Sequence, residues 1–116
     1  MRHQKKTIQI GQRKLSSKTL LSQLATSLFL YDKIETTVAK AKALRSYSER
    51  LVTLAKEDTV AHRRQADRSL MHKNAVKKLF EVIGPKYKDR DGGYTSIHRT
   101  NLRKGDASEK AIISLV

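Results

Sequence analysis

The chain has 116 residues, contains no cysteine and carries a formal net charge of +14. This length predicts one domain that folds around a modest core. The lack of cysteine excludes a disulfide framework, thiolate catalysis and thiolate zinc sites, and no apolar run approaches the roughly 20 residues that a membrane helix needs. So strong a positive charge implies a polyanionic partner, of which nucleic acid is the commonest.

The amino terminus is basic and lacks an amphipathic period. No acidic residue occurs before Asp32, whereas the cations are Arg2, Lys5, Lys6, Arg13, Lys14 and Lys18. Few large apolar groups and mutually repelling charges favour an extended segment. We therefore predict that residues 1–15 form an arm that becomes ordered against RNA, and that residues 16–116 form a single globular domain. A solvated tail needed only for solubility is the alternative.

The next segment predicts a helix and then a short strand. Ser16 or Ser17 supplies a capping oxygen, and leucines follow at helical spacing as far as Phe29. Residues 34–38 alternate at a period of two and are rich in β-branched side chains, which is typical of a strand.

Three further helices are predicted from apolar residues at spacings of three and four. A long amphipathic helix spans about residues 39–56, with Tyr47 or Ser48 on its apolar face. A weaker helix covers residues 60–70, and a fourth covers residues 74–83, where Gly84-Pro85 terminates it.

The final third predicts two strands separated by turns. Asp91-Gly92-Gly93 indicates a turn before a strand at residues 94–98, and Arg103 to Asp106 indicates a second turn, around Gly105, before a strand at residues 111–116. The whole order is helix, strand, three helices and two strands. It predicts an α+β fold of two layers in which helices cover a small mixed sheet.

Short motifs in a fixed order along almost the whole chain resemble one known family. They are Met1-Arg2-His3, Ile34-Glu35-Thr36-Thr37, Ala39-Lys40-Ala41-Lys42, Leu51-Val52-Thr53-Leu54-Ala55-Lys56, Arg63-Arg64, Lys78-Leu79-Phe80, Gly92-Gly93-Tyr94-Thr95, Arg103 with Gly105-Asp106, and Ile112-Ile113-Ser114-Leu115-Val116. In this respect the chain resembles the bacterial-type large-subunit ribosomal protein seventeen family.

The resemblance implies a structural constituent of the large ribosomal subunit, with no catalytic role. Such a protein binds large-subunit rRNA near the outer mouth of the peptide exit tunnel and touches neighbouring ribosomal proteins. One copy per ribosome is expected, in the cytoplasm or in an organelle. Two segments depart from the family pattern. Lys5 to Ile10 occupies a place where the family often has more arginine. Many members carry a basic residue directly after the strand that ends at Ile97, whereas this chain has His98-Arg99 there, so the charge is displaced by one position.

Candidate RNA contacts lie in the arm and in three places outside it. They are Arg2, His3, Lys5, Lys6, Arg13, Lys14 and Lys18 near the amino terminus, Arg63 and Arg64 in the third helix, and Arg99, Arg103 and Lys104 near the carboxyl terminus. Arginine suits folded RNA because its guanidinium pairs with phosphate bidentately or stacks on a base. Adjacent helical residues point about 100° apart, so Arg63 and Arg64 cannot both face the core. Pairing with Glu57, Asp58 or Asp67 is the alternative role for these arginines.

The residues of the two glycine turns have either a role in RNA contact or a purely structural role. Gly92, Gly93 and Gly105 allow a positive φ and a close approach of an RNA backbone. Tyr94 either stacks on a base or anchors the core, and its alternation with Ser96 and His98 favours the core. The turn at Arg103 to Asp106 is either a phosphate contact or a plain hairpin tip.

Neither a metal site nor an enzyme is indicated. The histidines at positions 3, 62, 72 and 98 lack the short spacing of metal ligands, so we expect no cofactor. A nuclease using His62 and Asp67 is disfavoured, since paired carboxylates, a phosphate loop and a nucleophile elbow are all missing from the sequence.

A membrane surface and a small-molecule substrate are not expected as partners, because the apolar faces are needed for the core. A freestanding, non-specific nucleic-acid-binding protein remains the alternative function, although no helix-turn-helix or heptad array is visible.

Overall fold

The computed structural model describes residues 14–116, with side chains described from residue 17 onward. In chain order the elements are helix α1 (Lys14–Tyr31), strand β1 (Lys33–Thr37), helices α2 (Val38–Ala55), α3 (Val60–Ser69) and α4 (Lys73–Lys78), a π-helical turn (Leu79–Ile83), the short helix α5 (Gly84–Lys86), and strands β2 (Thr95–Leu102) and β3 (Glu109–Leu115). This order confirms the predicted α+β class. Residues 1–13 of the predicted arm lie outside the described residues.

Helix α1 starts earlier than the sequence predicted. Ser16 and Ser17 lie inside the helix, so the prediction that one of them caps it is wrong. Lys14 and Leu15 have good helix propensity, which allows the helix to extend back past the serines. Farther along, Leu28 and Phe29 are fully buried, which confirms that this helix faces a core.

Helix α2 is the central element of the molecule. The Thr37 side chain accepts a hydrogen bond from the backbone N–H of Lys40 (3.4 Å) and caps its first turn. Leu44 and Val52 are fully buried on the face that meets the core. Ser48 is also fully buried, and its hydroxyl donates to the Leu44 carbonyl oxygen at 2.8 Å, so its burial leaves no unsatisfied donor. The helix contacts α1, α3 and all three strands.

The sheet has the order β1-β3-β2, and both of its strand pairs are antiparallel. The predicted mixed sheet is therefore wrong. Strands β1 and β2 do run in the same direction, but β3 lies between them and is antiparallel to both, so no parallel pair forms among the described strands. Ile113 on β3 is fully buried and pairs with Ile34 on one side and Ile97 on the other, giving an apolar row beneath α2.

Gly84-Pro85 does not end the fourth helix, contrary to the sequence prediction. The chain stays helical through the π-helical turn and α5, and Gly84 has a helical φ of −54°. A Cβ built on Gly84 would lie 2.3 Å from the Ala55 carbonyl oxygen at the end of α2. Glycine is needed here for close helix packing, and Pro85 follows it directly at the start of α5.

Candidate nucleic-acid interface

The candidate contacts of the amino terminus are only partly described. Arg2, His3, Lys5, Lys6 and Arg13 lie outside the described residues, and Lys14 is described only as the first backbone position of α1. Lys18 lies one turn into that helix with an exposed side chain. Of the predicted amino-terminal set, Lys18 alone has a described side chain.

Arg63 forms an ion pair with Asp58 at the surface of the domain. Its Nε donates to Oδ1 at 2.6 Å and its Nη2 donates to Oδ2 at 2.8 Å. The guanidinium carbon also lies 5.2 Å from the ring centroid of Phe80. The hydrogen bond to Asp58 raises the pKa of Arg63, and the same bond lowers the pKa of Asp58. The pairing that the sequence left as an alternative is thus the observed arrangement for this arginine.

Arg64, the next residue, behaves differently. Its side chain is exposed on α3, and no acidic residue in the described part of the chain forms an ion pair with it. The neighbouring arginines therefore divide their roles: one stabilises the start of α3 through Asp58, and the other presents its charge to solvent.

The β2–β3 hairpin ends in an exposed, charged tip. The backbone closes with Arg103 N–H donating to the Ser108 carbonyl oxygen (2.8 Å) and Ala107 N–H donating to the Arg103 carbonyl oxygen (3.0 Å), which confirms the predicted turn. Gly105 has a φ of +102°, so its lack of a side chain is required there.

The cations of this tip are mostly paired with acids of the same hairpin. The Arg103 guanidinium donates to both carboxylate oxygens of Asp106, with Nε to Oδ1 at 3.0 Å. Arg99 Nη1 donates to Glu109 Oε2 at 3.3 Å. Lys104 is exposed and has no ion pair with any residue that the structure describes. The Arg103 hydrogen bond, followed by the Ser108 amide, holds the pKa of Asp106 well below its usual range.

Tyr94 is part of the core, as predicted, but the predicted alternation with Ser96 and His98 is wrong, because Tyr94 precedes β2 and His98 is exposed. Only 2% of Tyr94 is exposed, and its hydroxyl donates to the Arg90 carbonyl oxygen at 2.9 Å. The ring centroid lies 5.2 Å from that of Tyr87, and Lys56 Nζ lies 4.9 Å above the ring. The preceding Gly92 and Gly93 have φ values of +146° and +63°, which confirms the predicted glycine turn.

The described histidines have local structural contacts. His72 Nδ1 accepts a hydrogen bond from the Asn74 N–H (3.1 Å) and caps α4, while His62 Nδ1 lies 2.8 Å from the Glu57 carbonyl oxygen. Over residues 14–116, no group of three His, Cys, Asp or Glu side chains is arranged to hold a metal ion. Within the same span, no helix is long and apolar enough to cross a membrane.

The structure also brings together cations that the sequence analysis missed. Arg50 of α2 and Arg68 of α3 line one open groove with Lys18 of α1. Each arginine belongs to a different amphipathic helix, and nothing in the linear spacing of the sequence indicates that their polar edges meet. Only the packing of the three helices creates this cluster.

Comparison with known proteins gives a consistent result. The family described as ribosomal protein L17 matches residues 20–116 of the chain. A protein named large ribosomal subunit protein bL17 from Fusobacterium nucleatum is 45% identical over 116 residues, which is 100% of both chains. Proteins of the same name from Dictyoglomus thermophilum and a Sulfurihydrogenibium species are 46% and 48% identical, each covering 100% of this chain and 100% and 97% of their own length, respectively.

The family match covers the whole described fold except the first turns of α1, and the identities extend along the full chain. Both findings agree with the resemblance carried by the ordered motifs. The chain therefore belongs to the ribosomal protein L17 family, and is a bacterial-type, non-enzymatic structural protein of the large ribosomal subunit, located with the ribosome in the cytoplasm.

Proposed function

We propose that this structural protein binds and stabilises large-subunit rRNA, and that it does so near the outer mouth of the peptide exit tunnel, beside other ribosomal proteins and in one copy per ribosome. The globular domain supplies one surface for the RNA, and residues 1–13, which precede α1, supply an extended arm. An arm of this kind enters RNA grooves that a folded surface cannot reach.

The observation that carries this proposal is the surplus of cations over acids. Six of the acidic residues already form ion pairs within the chain, namely Asp32, Glu35, Glu49, Asp58, Asp106 and Glu109. Even if all 11 acids were paired one to one, 14 of the 25 lysines and arginines would keep an unneutralised charge. So large a surplus on a small surface favours a dense polyanion such as folded RNA.

The surplus cations are available on the surface rather than buried. Lys18, Arg64 and Lys104 are exposed, and each comes from a different part of the fold: α1, α3 and the hairpin tip. Contacts from several elements orient a protein on its RNA, whereas a single charged tail only tethers it. Among the predicted contacts, these three are the described ones that we assign to phosphate.

A salt titration tests RNA binding directly. The purified chain is titrated against a transcript of large-subunit rRNA between roughly 50 and 200 mM salt. With about six phosphate contacts in the arm and a slope near 0.7 per contact, affinity should fall at least about a hundredfold over this range. A chain whose affinity scarcely depends on salt would contradict the proposal.

Two further measurements test whether the chain is a stable part of the large subunit and whether it lies at the tunnel mouth. A high-salt wash of large subunits should leave the chain bound, whereas a freestanding nucleic-acid-binding protein should be released. Nascent chains of increasing length, carrying a crosslinker at the amino terminus, should reach exposed lysines of this protein as they emerge from the tunnel. Crosslinks to other tunnel-mouth proteins but none to this chain would refute the proposed position.

A further inference from the structure

An open groove of about 390 Å³ lies where helices α1, α2 and α3 meet. Its cationic edge is formed by Lys18 from α1, Arg50 from α2 and Arg68 from α3. Gln65 of α3 adds a polar side chain, while Leu51 and Leu54 of α2 line the apolar part. Three separate helices thus contribute one cation each to a single concave surface.

None of the described residues that line this groove is acidic. Arg50 and Arg68 form no ion pair with any acid in the described part of the chain, and residues 1–16, whose side chains the structure does not describe, contain no Asp or Glu that could supply one. Like charges that converge on one concave surface raise its free energy until an anion binds between them. The charge pattern therefore points to a ligand from outside the chain.

The walls of the groove are fixed by hydrogen bonds at the end of α3. The Ser69 carbonyl oxygen accepts one bond from the Tyr47 hydroxyl (2.7 Å) and another from the Ser22 hydroxyl (2.8 Å). Tyr47 belongs to α2 and Ser22 to α1, so one carbonyl group joins all three helices that form the groove. A ligand that binds there meets a surface that is already organised, which lowers the entropic cost of binding.

We propose that this groove is a binding site for the phosphodiester backbone of rRNA. The inference rests on the proposed function and deepens it by assigning Arg50 and Arg68, with Lys18, to one phosphate-binding site. The guanidinium groups match phosphate oxygens bidentately, and Lys18 adds a flexible point charge. The Gln65 amide is placed to bond a ribose hydroxyl, the group that distinguishes RNA from DNA.

We expect the groove to contact the RNA backbone in preference to the bases. Its described lining offers cations, an amide and aliphatic side chains, and no aromatic ring on which a base could stack. The site therefore contributes affinity and orientation without sequence preference, which is the usual role of phosphate contacts.

The test compares a groove variant with a variant of equal charge elsewhere. Arg50→Gln/Arg68→Gln removes two groove cations, whereas Lys77→Gln/Lys88→Gln removes two exposed cations that do not line the groove. Both full-length proteins are checked for unchanged folding by urea denaturation and titrated against the rRNA transcript at several salt concentrations.

The groove variant should bind about a hundredfold more weakly, roughly tenfold for each lost charged contact. Its salt slope should fall by about 1.4 to 1.8. The control should lose less than about tenfold.

Equal losses in the two variants would overturn the groove proposal while leaving RNA binding intact. Failure of the unmodified chain to bind the transcript would instead overturn the proposed function. A third variant, Arg50→Lys/Arg68→Lys, should keep the salt slope but lose part of the affinity, because lysine retains the charge without the bidentate geometry. Competition by millimolar inorganic phosphate that matches competition by RNA would show a free-anion site and contradict the assignment to a phosphodiester backbone.

Discussion

The Tyr47 hydroxyl donates a hydrogen bond of 2.7 Å to the carbonyl oxygen of Ser69, and this bond joins the middle of α2 to the last residue of α3. Burial raises the pKa of the Tyr47 phenol. The phenol thus stays protonated and remains a donor over the physiological pH range. Because α3 carries both Arg64 and Arg68, this bond fixes the direction in which their charges are presented.

Replacing Tyr47 with Phe should loosen the end of α3 without unfolding the domain. The ring still fills its place, and Ser69 keeps its bond from Ser22, so the loss in the free energy of unfolding should be about 1 kcal/mol. Hydrogen exchange should show faster exchange at the Leu70 amide, which bonds to Ala66 at the end of α3. Thr53→Ala serves as a control, since the Thr53 hydroxyl bonds only within α2 and is exposed. Equal exchange rates at Leu70 in the Tyr47→Phe protein and the parent would contradict this role.

Gly84→Ala should destabilise the protein although alanine is the better helix former. In an open helix the change would gain up to about 1 kcal/mol. Here the new Cβ would stand 2.3 Å from the Ala55 carbonyl oxygen, which is backbone and cannot rotate away. We expect a net loss of about 1–3 kcal/mol in urea denaturation, as for other overpacked sites. A Gly84→Ala protein as stable as the parent would show that α2 and α5 do not pack this closely.

Arg63→Gln and Arg64→Gln should have different effects, the first on the stability of the domain and the second on RNA binding. Arg63 is paired with Asp58 and lies over Phe80, so its loss should lower the midpoint of urea denaturation and change the affinity for RNA little. Arg64 is exposed, so its loss should leave the midpoint unchanged and reduce the salt slope of RNA binding by about 0.7 to 0.9. The reverse pattern would mean that the Asp58 pair opens on the RNA and that Arg63 makes the contact.

The Asp106 carboxyl group should titrate well below an ordinary aspartate. Arg103 and the Ser108 amide stabilise its charged form, so the pKa in the folded protein is lower than in the unfolded chain. A depressed pKa contributes stability that is complete above the ordinary value of about 4 and is lost as the pH falls toward the depressed value. An NMR titration of the carboxyl carbon tests this, and Arg103→Gln should return the pKa toward the ordinary value. An unshifted pKa in the parent protein would show that the tip is open in solution.

The sequence predicted most of the fold because most of its helices and strands carry a clear local pattern. The face of α2 that holds Leu44 and Leu51 is predictable from apolar spacing. The burial of Tyr94 was also predicted, although it does not arise from strand alternation, since Tyr94 precedes β2 and the adjacent Thr95 is buried as well. The errors arose where tertiary contacts override local signals. Gly84 reads as a helix terminator, but close contact with the end of α2 retains it inside a continuing helix.

The candidate site was less predictable than the fold for the same reason. A single cation on a helix has no sequence signal that tells whether it meets an acid, solvent or a cation of another helix. Arg63 and Arg64 are identical in sequence terms, yet only Arg63 reaches Asp58. Arg50 and Arg68 become one cluster only when α2 packs against α3, a relationship that linear spacing does not contain.

The central claim is that this chain binds large-subunit rRNA through its cationic surface, and photocrosslinking in purified large subunits tests it most directly. After irradiation and digestion, mass spectrometry identifies the peptides that carry nucleotide adducts. We predict adducts on peptides from the arm, from residues 50–68 and from the β2–β3 hairpin, all mapping to large-subunit rRNA. If neighbouring ribosomal proteins acquire adducts and every peptide of this chain is recovered without one, the claim is wrong.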